Sequence, residues 1–126
     1  MAKLIIIGLG GFIGAIGRYM ITQYFFQSST SEFPLGTFIV NILGCLLLGM
    51  FMYYAQSSEA ISPHMRMFVA IGILGAFTTF STFSYETVAL FNAQKMMLAF
   101  ANVTGSILLG VFSVWLGYSI IKWVKI

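Results

Sequence analysis

The chain is divided into four apolar blocks, and each block is long enough to form a helix that crosses a membrane. About 20 residues, at a rise of about 1.5 Å each, cover the roughly 30 Å of hydrocarbon in a bilayer. Charged residues make up 7% of the 126 residues, against about 25% in soluble globular domains. We therefore predict an all-α membrane protein in which residues 1–126 form one four-helix transmembrane domain. The blocks extend from Leu4 to Phe26, from Leu35 to Ala55, from Met67 to Phe91 and from Met97 to Val124.

Short polar segments separate the blocks and set the topology. They extend from Gln27 to Pro34, from Gln56 to Arg66 and from Asn92 to Lys95. Four crossings place both termini on one side, and the positive-inside rule weakly favours the cytoplasm for that side. The bias is so small that insertion in both orientations is conceivable. The side of the termini carries Lys3, Arg66, Lys122 and Lys125, and the other side carries Arg18 and Lys95.

The first block has some features of a cleaved signal peptide. Lys3 precedes an apolar run, and Ala15-Ile16-Gly17 has small residues spaced as at a cleavage site. Apolar character resumes beyond Arg18, however, which favours a retained first helix. The net charge of +3 requires no nucleic-acid partner, because basic residues at helix ends commonly anchor helices in membranes.

The third block contains a run of hydroxyl and phenylalanine side chains. Its sequence is Gly75-Ala76-Phe77-Thr78-Thr79-Phe80-Ser81-Thr82-Phe83-Ser84-Tyr85-Glu86. Hydroxyl groups in hydrocarbon need a hydrogen-bond partner or a polar cavity. Gly72 and Gly75 are poor helix formers, and hydroxyls can bond backbone carbonyls, so we predict a break in the third helix near Gly75 to Thr79. Carbonyl oxygens freed by such breaks are recurring ion-binding groups in membrane proteins.

Phenylalanines recur at intervals of three in this run, at Phe77, Phe80 and Phe83. Packing is the ordinary explanation of such a stripe. The second explanation is contact with an anion, because the edge of an aromatic ring carries partial positive charge. The residues by themselves leave both explanations open.

The other blocks contain polar residues four positions apart, which share a helix face. Thr37 and Asn41 form such a pair in the second block, and Asn102 and Ser106 form one in the fourth. A hydrogen bond between helices, commonly worth about 0.6 kcal/mol, is sufficient to explain a single hydroxyl in a membrane helix. For Asn41 and Asn102, structural and functional explanations both stay open.

Arg18 is the only basic residue well inside a block, and Glu86 is the only acidic residue within one; charge is expensive at such positions. Arg18 is about eight residues from the nearest polar segment, or some 12 Å along a helix. It can extend its guanidinium to the membrane surface, pair with backbone carbonyls, or contact a transported substrate. Glu86, near the end of the third block, faces either a water-filled vestibule or the lipid headgroups.

Several function classes lack their required residues in this sequence. Cys45 is the only cysteine and His64 the only histidine, so no cysteine cluster for zinc and no histidine pair is present. No nucleophile with a neighbouring base is recognisable, and no G-x-x-x-x-G-K-[ST] motif for ATP occurs. We therefore expect neither an enzyme nor an ATP-driven pump.

Several segments of the chain resemble the Fluc (CrcB) family of fluoride channels. They are Phe33-Pro34-Leu35-Gly36-Thr37, then Asn41, then the run from Gly72 to Glu86, together with Gly14 and Arg18 in the first block. The resemblance covers essentially the whole chain. It implies an antiparallel, dual-topology homodimer in the bacterial inner or plasma membrane. Such a dimer has two pores, lined by both subunits, that export fluoride passively.

The resemblance also implies roles for individual residues. Phe80 and Phe83 match the pore phenylalanines of the family, and Asn41 matches its fluoride-contacting asparagine. The backbone carbonyls of Gly75 and Thr78 match those that hold a central, structural sodium ion. The polar track of the fourth helix falls on Asn102 and Ser106 and then on Gly110, where relatives often have serine. The expected pore residues are thus Asn41, Phe80, Phe83, Ser106, Asn102, Thr79 and Thr82, with Arg18 and Glu86 in structural or vestibule positions.

Two other functions remain as alternatives. A small dual-topology, proton-coupled exporter of cationic compounds has the same size and number of helices. It needs a titratable acid at mid-membrane, and Glu86 lies off centre. A structural or assembly subunit would explain pairs of small residues such as Gly10 and Gly14, which let helices pack closely. It would not explain the run of hydroxyl and phenylalanine residues.

Overall fold

The protein consists of helices and their connections in the part that the structure, a computed structural model, describes: residues 1–29, 31–58 and 60–124. We number the helices α1 (Ala2–Ser28), α2 (Leu35–Gln56), α3 (63–77), α4 (Phe80–Asn92) and α5 (Met96–Val124). Because α3 and α4 form one bent segment, Pro63–Asn92, four segments are long and apolar enough to cross a membrane. The prediction of an all-α protein with four membrane helices is confirmed. Lys125, counted above among the basic residues, lies outside the described residues.

The helix ends agree closely with the predicted block edges, and the largest difference is at the start of α3. This helix begins at Pro63 instead of Met67. The Ser62 hydroxyl accepts a hydrogen bond from the Met65 N–H at 3.2 Å, and proline is favoured in the first turn of a helix. Hydropathy missed this turn because it contains the polar residues His64 and Arg66.

The middle of α3 is π-helical, which the sequence did not indicate. The helix consists of an α-helical turn (Pro63–Arg66), a π-helical part (Met67–Leu74) and a last short turn (Gly75–Phe77). At the end of the π-helical part, the Gly75 N–H bonds the carbonyl of Ala70, five residues earlier. Such segments are rare and often adjoin functional sites. This one directly precedes the break between α3 and α4.

Helix α1 packs against the π-helical part of α3 with the two backbones in contact. A Cβ atom at Gly10 would lie 2.4 Å from the Phe68 carbonyl oxygen, and one at Gly14 would lie 2.1 Å from the Ile73 carbonyl oxygen. Both separations are far shorter than any real carbon–oxygen contact. Glycine is therefore required at these two positions, as the spacing of small residues in α1 predicts.

Helices α2 and α5 pack in the same way along a second glycine contact. A Cβ atom at Gly49 would lie 2.2 Å from the Val114 carbonyl oxygen, and one at Gly117 would lie 2.2 Å from the Leu46 carbonyl oxygen. Close approach lets many weak dispersion contacts hold the helices together where lipid provides no hydrophobic drive. The shorter helix α4 takes part in neither glycine contact and packs mainly against α5.

Much of the apolar surface faces outward. Large hydrophobic side chains such as Phe12, Phe100 and Trp115 are more than half exposed. A soluble protein rarely exposes so much contiguous apolar surface. The helices therefore present these side chains to lipid or to another subunit, as expected for a multi-pass membrane protein.

Candidate functional site

The chain leaves the helical conformation at two residues between α3 and α4. Thr78 (φ −81°, ψ 153°) and Thr79 (φ −147°, ψ 119°) are extended. The predicted break is thus confirmed, although it is narrower than expected, since Gly75 remains helical (φ −65°, ψ −36°). The conformational freedom of glycine is consequently not what opens the helix.

The side chain of Asn41, on α2, holds the broken segment in place. Its Oδ1 accepts from the Thr79 N–H at 2.8 Å, and its Nδ2 donates to the Thr79 carbonyl at 3.1 Å. The Thr79 hydroxyl in turn caps α4 by accepting from the Thr82 N–H at 3.3 Å. Both backbone polar groups of the extended Thr79 are therefore satisfied inside the subunit, as membrane depth requires.

These bonds release two particular carbonyl oxygens. In an uninterrupted α-helix, the carbonyls of Gly75 and Thr78 would accept from the N–H groups of Thr79 and Thr82, four residues later. Those donors bond the side chains of Asn41 and Thr79 instead. The Gly75 and Thr78 carbonyls thus lose their helical donors at a depth where free carbonyls are costly. They can accept a different electropositive partner.

An open groove of about 320 Å³ adjoins the break on the surface of the subunit. The rings of Phe80 and Phe83 lie along it with their centroids 5.6 Å apart, and the Phe80 ring is 79% exposed. The hydroxyl of Ser106, from α5, is buried there without a hydrogen-bond partner among the described residues. The groove brings together seven of the residues expected at the site: Asn41, Gly75, Thr78, Thr79, Phe80, Phe83 and Ser106.

A second, polar cleft of about 540 Å³ lies beside the connection between α1 and α2. Arg18, Thr82 and Glu86 line it, and Thr79 lines both the cleft and the groove. The Thr37 hydroxyl donates to Glu86 Oε1 at 2.7 Å. Arg18 Nε and Glu86 Oε2 are buried without a protein partner among the described residues. Both ionisable side chains thus line a cavity.

Asn102 is the expected site residue that neither cavity contains. Its side chain is 1% exposed, and its Nδ2 donates to the Thr87 hydroxyl at 2.9 Å. The Thr87 hydroxyl donates to the Phe83 carbonyl at 2.8 Å. A pore contact for Asn102 therefore stays a prediction, and Thr87 is a connected residue that the sequence analysis missed. The available signal was its position four residues after Phe83, where a threonine can bond the preceding turn.

Gly110 lies one turn beyond Ser106 on α5. A Cβ atom there would lie 3.6 Å from the Sγ of Cys45, at an ordinary van der Waals distance. Cys45 itself lines the groove. Where relatives often have serine, the glycine of this chain therefore leaves space beside Cys45 that a small side chain can fill.

The sequence is similar to known proteins over most of its length. Residues 5–118 match the family model described as CrcB-like protein, Camphor Resistance (CrcB). The chain belongs to the CrcB family. The match includes most of α1, all of α2–α4 and most of α5, and with them all the residues of the groove and of the broken segment.

Individual relatives of this CrcB-family chain match it over nearly its full length. One is the fluoride-specific ion channel FluC 1 of Methanosarcina acetivorans, 44% identical over 117 residues, or 93% of this chain and 88% of the relative. The fluoride-specific ion channel FluC of Oceanobacillus iheyensis is 40% identical over 125 residues, 99% and 95% of the two chains. That of Flavobacterium psychrophilum is 37% identical over 122 residues, 97% and 98% of the two chains.

Proposed function

We propose that this protein is a fluoride-selective channel that lets fluoride leave the cell passively across the cell membrane. The observation that carries the proposal is the groove, which is lined by Asn41 of α2 and Ser106 of α5 together with the two phenylalanines of α4. The relatives are all named fluoride-specific ion channels, and these names support fluoride as the transported ion. They also support a channel and not an enzyme.

The groove offers a small anion replacements for its water shell. Fluoride entering a medium of low dielectric constant loses tens of kcal/mol of solvation unless hydrogen-bond donors replace water. The unpartnered hydroxyl of Ser106 is one donor. The amide of Asn41 is another, because only one of its two N–H groups is needed for the Thr79 carbonyl. The positive edges of Phe80 and Phe83 complete the surroundings.

The groove contains no charged side chain among the described residues. A full positive charge would bind fluoride so tightly that it could not leave, and conduction requires sites that release the ion. Charge instead lies in the polar cleft, where Arg18 can raise the local concentration of anions. Because Thr79 lines both cavities, the cleft is the proposed aqueous vestibule, and the hydroxyls of Thr79 and Thr82 guide the ion between them.

A second copy of the chain is the proposed partner that closes the groove. The groove is open on one subunit, and the Phe80 ring is largely exposed at membrane depth. Two-fold symmetry would join the same face of two subunits and create two equivalent pores. The small difference in basic residues between the two membrane sides supports an antiparallel, dual-topology homodimer.

A structural sodium ion is proposed at the centre of the dimer. The Gly75 and Thr78 carbonyls would hold it together with the same pair from the partner, and their loss of helical donors fits this role. The described residues contain no cluster of histidine, cysteine or acidic side chains for a metal, and backbone oxygens suit a hard cation. Such an ion supplies fixed positive charge that favours anions nearby and joins the subunits.

Efflux from proteoliposomes tests the channel function. Purified protein in vesicles loaded with fluoride or chloride should release fluoride rapidly and chloride slowly, as measured with ion-selective electrodes. Phe80→Ile and Phe83→Ile should suppress fluoride efflux while the protein still elutes as a dimer. Phe100→Ile is a matched control, because this exposed ring lies outside both cavities. Undiminished efflux in the Phe80 and Phe83 variants would exclude the pore, and proton-coupled cation transport would establish the alternative exporter.

Removal of sodium tests the cation site separately. Replacement of sodium by N-methylglucamine should shift the dimer toward monomer and lower its thermal stability, because the carbonyls of Gly75 and Thr78 would lose their partner. Re-addition of sodium should restore both. Normal assembly and normal fluoride efflux in sodium-free buffer would contradict the sodium site without affecting the proposed pore.

A further inference from the structure

Helix α4 carries both phenylalanines of the groove, yet few of its side chains anchor it within the subunit. Only Thr87 and Leu90 of its 13 residues are buried. Leu90 contributes apolar packing, which is less directional than a hydrogen bond. Besides Glu86, which accepts a hydrogen bond from Thr37 on α2, Thr87 is the polar side chain of α4 that is bonded to another helix, and it is the one bonded to α5.

The hydroxyl of Thr87 connects α5 to the backbone at Phe83. Asn102 Nδ2 donates to the Thr87 hydroxyl at 2.9 Å, and that hydroxyl donates its own proton to the Phe83 carbonyl at 2.8 Å. Donors and acceptors alternate correctly along this chain of two bonds. Thr87 is 7% exposed and Asn102 1% exposed, so water does not compete for either bond.

The position of Thr87 along α4 links this chain to the groove. At 3.6 residues per turn, Phe83 is one turn and Phe80 about two turns before Thr87, so the three side chains follow one face. A rotation of α4 by about 20° would move a ring atom about 5 Å from the axis by nearly 2 Å. On α5, Asn102 lies one turn before Ser106, which lines the groove together with the two phenylalanines.

We propose that Asn102 and Thr87 are positioning residues that fix the rotation of α4 on α5 and thereby place the Phe80 and Phe83 rings in the groove. The proposal rests on the pore function proposed above. It gives Asn102 an indirect role in place of direct contact with fluoride. It also makes Thr87 a determinant of selectivity, since small ring displacements change how closely the ring edges surround a small anion.

Substitutions at Thr87 test the proposal through flux and selectivity. Thr87→Val keeps the side-chain shape and removes both bonds, so fluoride efflux should fall by at least about threefold, the factor of one average membrane hydrogen bond. The fluoride-to-chloride flux ratio should fall as well, because the rings are displaced. A variant that merely folds less well would lose flux without losing selectivity. Thr104→Val, an exposed position on α5 outside the groove, should leave both quantities unchanged.

A second pair of variants separates the hydroxyl from its bulk. Thr87→Ser and Thr87→Ala both lack the methyl group, but only serine retains the two bonds, so serine should restore efflux and selectivity and alanine should not. Asn102→Ala should reduce efflux in the wild-type background and have little further effect in Thr87→Val, because residues that act through one another are not additive. If the losses of fluoride efflux caused by Asn102→Ala and Thr87→Val were additive, direct contact of Asn102 with fluoride would be the better explanation.

Three outcomes would overturn the proposal or its foundation. Wild-type selectivity in Thr87→Val and Thr87→Ala would exclude the positioning role while Phe83→Ile still identifies the pore. If Thr87→Val and Thr87→Ala both lost the dimer while Thr87→Ser still assembled, the hydrogen bonds from Asn102 to Thr87 and from Thr87 to Phe83 would have a purely structural role. Absence of fluoride efflux from the wild-type protein would instead contradict the proposed function itself.

Discussion

The side-chain amide of Asn41 bonds both backbone polar groups of Thr79, accepting from its N–H at 2.8 Å and donating to its carbonyl at 3.1 Å. The two residues are 38 positions apart; Asn41 lies on α2 and Thr79 in the break between α3 and α4. An asparagine amide is well suited to this task because it offers a donor and an acceptor side by side, like a peptide group. The break between α3 and α4 is consequently stabilised by α2 and not by local sequence alone.

Replacement of Asn41 by leucine should destabilise the protein. Asn41→Leu preserves approximate size and leaves the N–H and the carbonyl of Thr79 unpaired at membrane depth, which costs about 1–3 kcal/mol. The free energy of unfolding in detergent should fall by that amount. Asn92→Leu, an exposed change at the end of α4, is the control and should have little effect. Equal stability of the two variants would show that the bonds to Thr79 are not needed.

Two glycines of α1 should respond oppositely to alanine. Gly14→Ala places a Cβ atom 2.1 Å from the Ile73 carbonyl oxygen, so α1 must move away from α3, and a cost of about 1–3 kcal/mol is expected. Gly8→Ala meets no atom within 4 Å and should be neutral or stabilise the helix by up to about 1 kcal/mol. Thermal unfolding in detergent measures both. Similar midpoints for the two variants would contradict the contact of α1 with α3.

Gly110 should accept the serine that relatives often carry. A Cβ atom there lies at an ordinary distance from Cys45, so Gly110→Ser should change the free energy of unfolding by less than about 0.5 kcal/mol. Its added hydroxyl should leave fluoride efflux equal to or above that of the wild type. Gly117→Ser, two turns later, is the contrasting variant, because its Cβ would lie 2.2 Å from the Leu46 carbonyl oxygen. If the Gly110→Ser variant unfolded, there would be no room for a serine side chain beside Cys45.

The ion pair between Lys95 and Glu32 should contribute little to stability. It joins the α4–α5 connection to the α1–α2 connection, and the two side chains are 35% and 61% exposed. Exposed pairs are worth less than about 1 kcal/mol and are screened by salt. Lys95→Ala should therefore lower the free energy of unfolding slightly at low salt and not measurably at about 1 M salt. A loss above about 2 kcal/mol at both salt concentrations would contradict this expectation.

The four membrane helices and the site of the break could be predicted because they depend on local properties. Hydropathy over about 20 residues defines a membrane helix wherever it occurs in a chain. The hydroxyl-rich run from Thr78 to Ser84 likewise marks a poor membrane helix irrespective of its neighbours. The start of α3 at Pro63 was missed, since that turn depends on the Ser62 cap and not on hydropathy.

The division of polar residues between groove and cleft could not be predicted in the same way. Asn41 and Thr37 share a face of α2, yet Asn41 lines the groove and Thr37 bonds Glu86 at the cleft. Asn102 and Ser106 share a face of α5, yet Asn102 bonds Thr87 and Ser106 lines the groove. Spacing assigns residues to a face, whereas the neighbouring helix decides what that face meets.

The sequence by itself determined the membrane class, the number of helices, the glycine faces and the approximate position of the break, because hydropathy, side-chain volume and backbone preference are properties of short segments. Only the tertiary structure decided that α3 is π-helical before the break. It also decided that Asn41 satisfies Thr79 and that two carbonyls thereby lose their donors. The bonds between Asn41 and Thr79 join residues 38 positions apart, and only packing of the helices brings such residues within hydrogen-bonding distance.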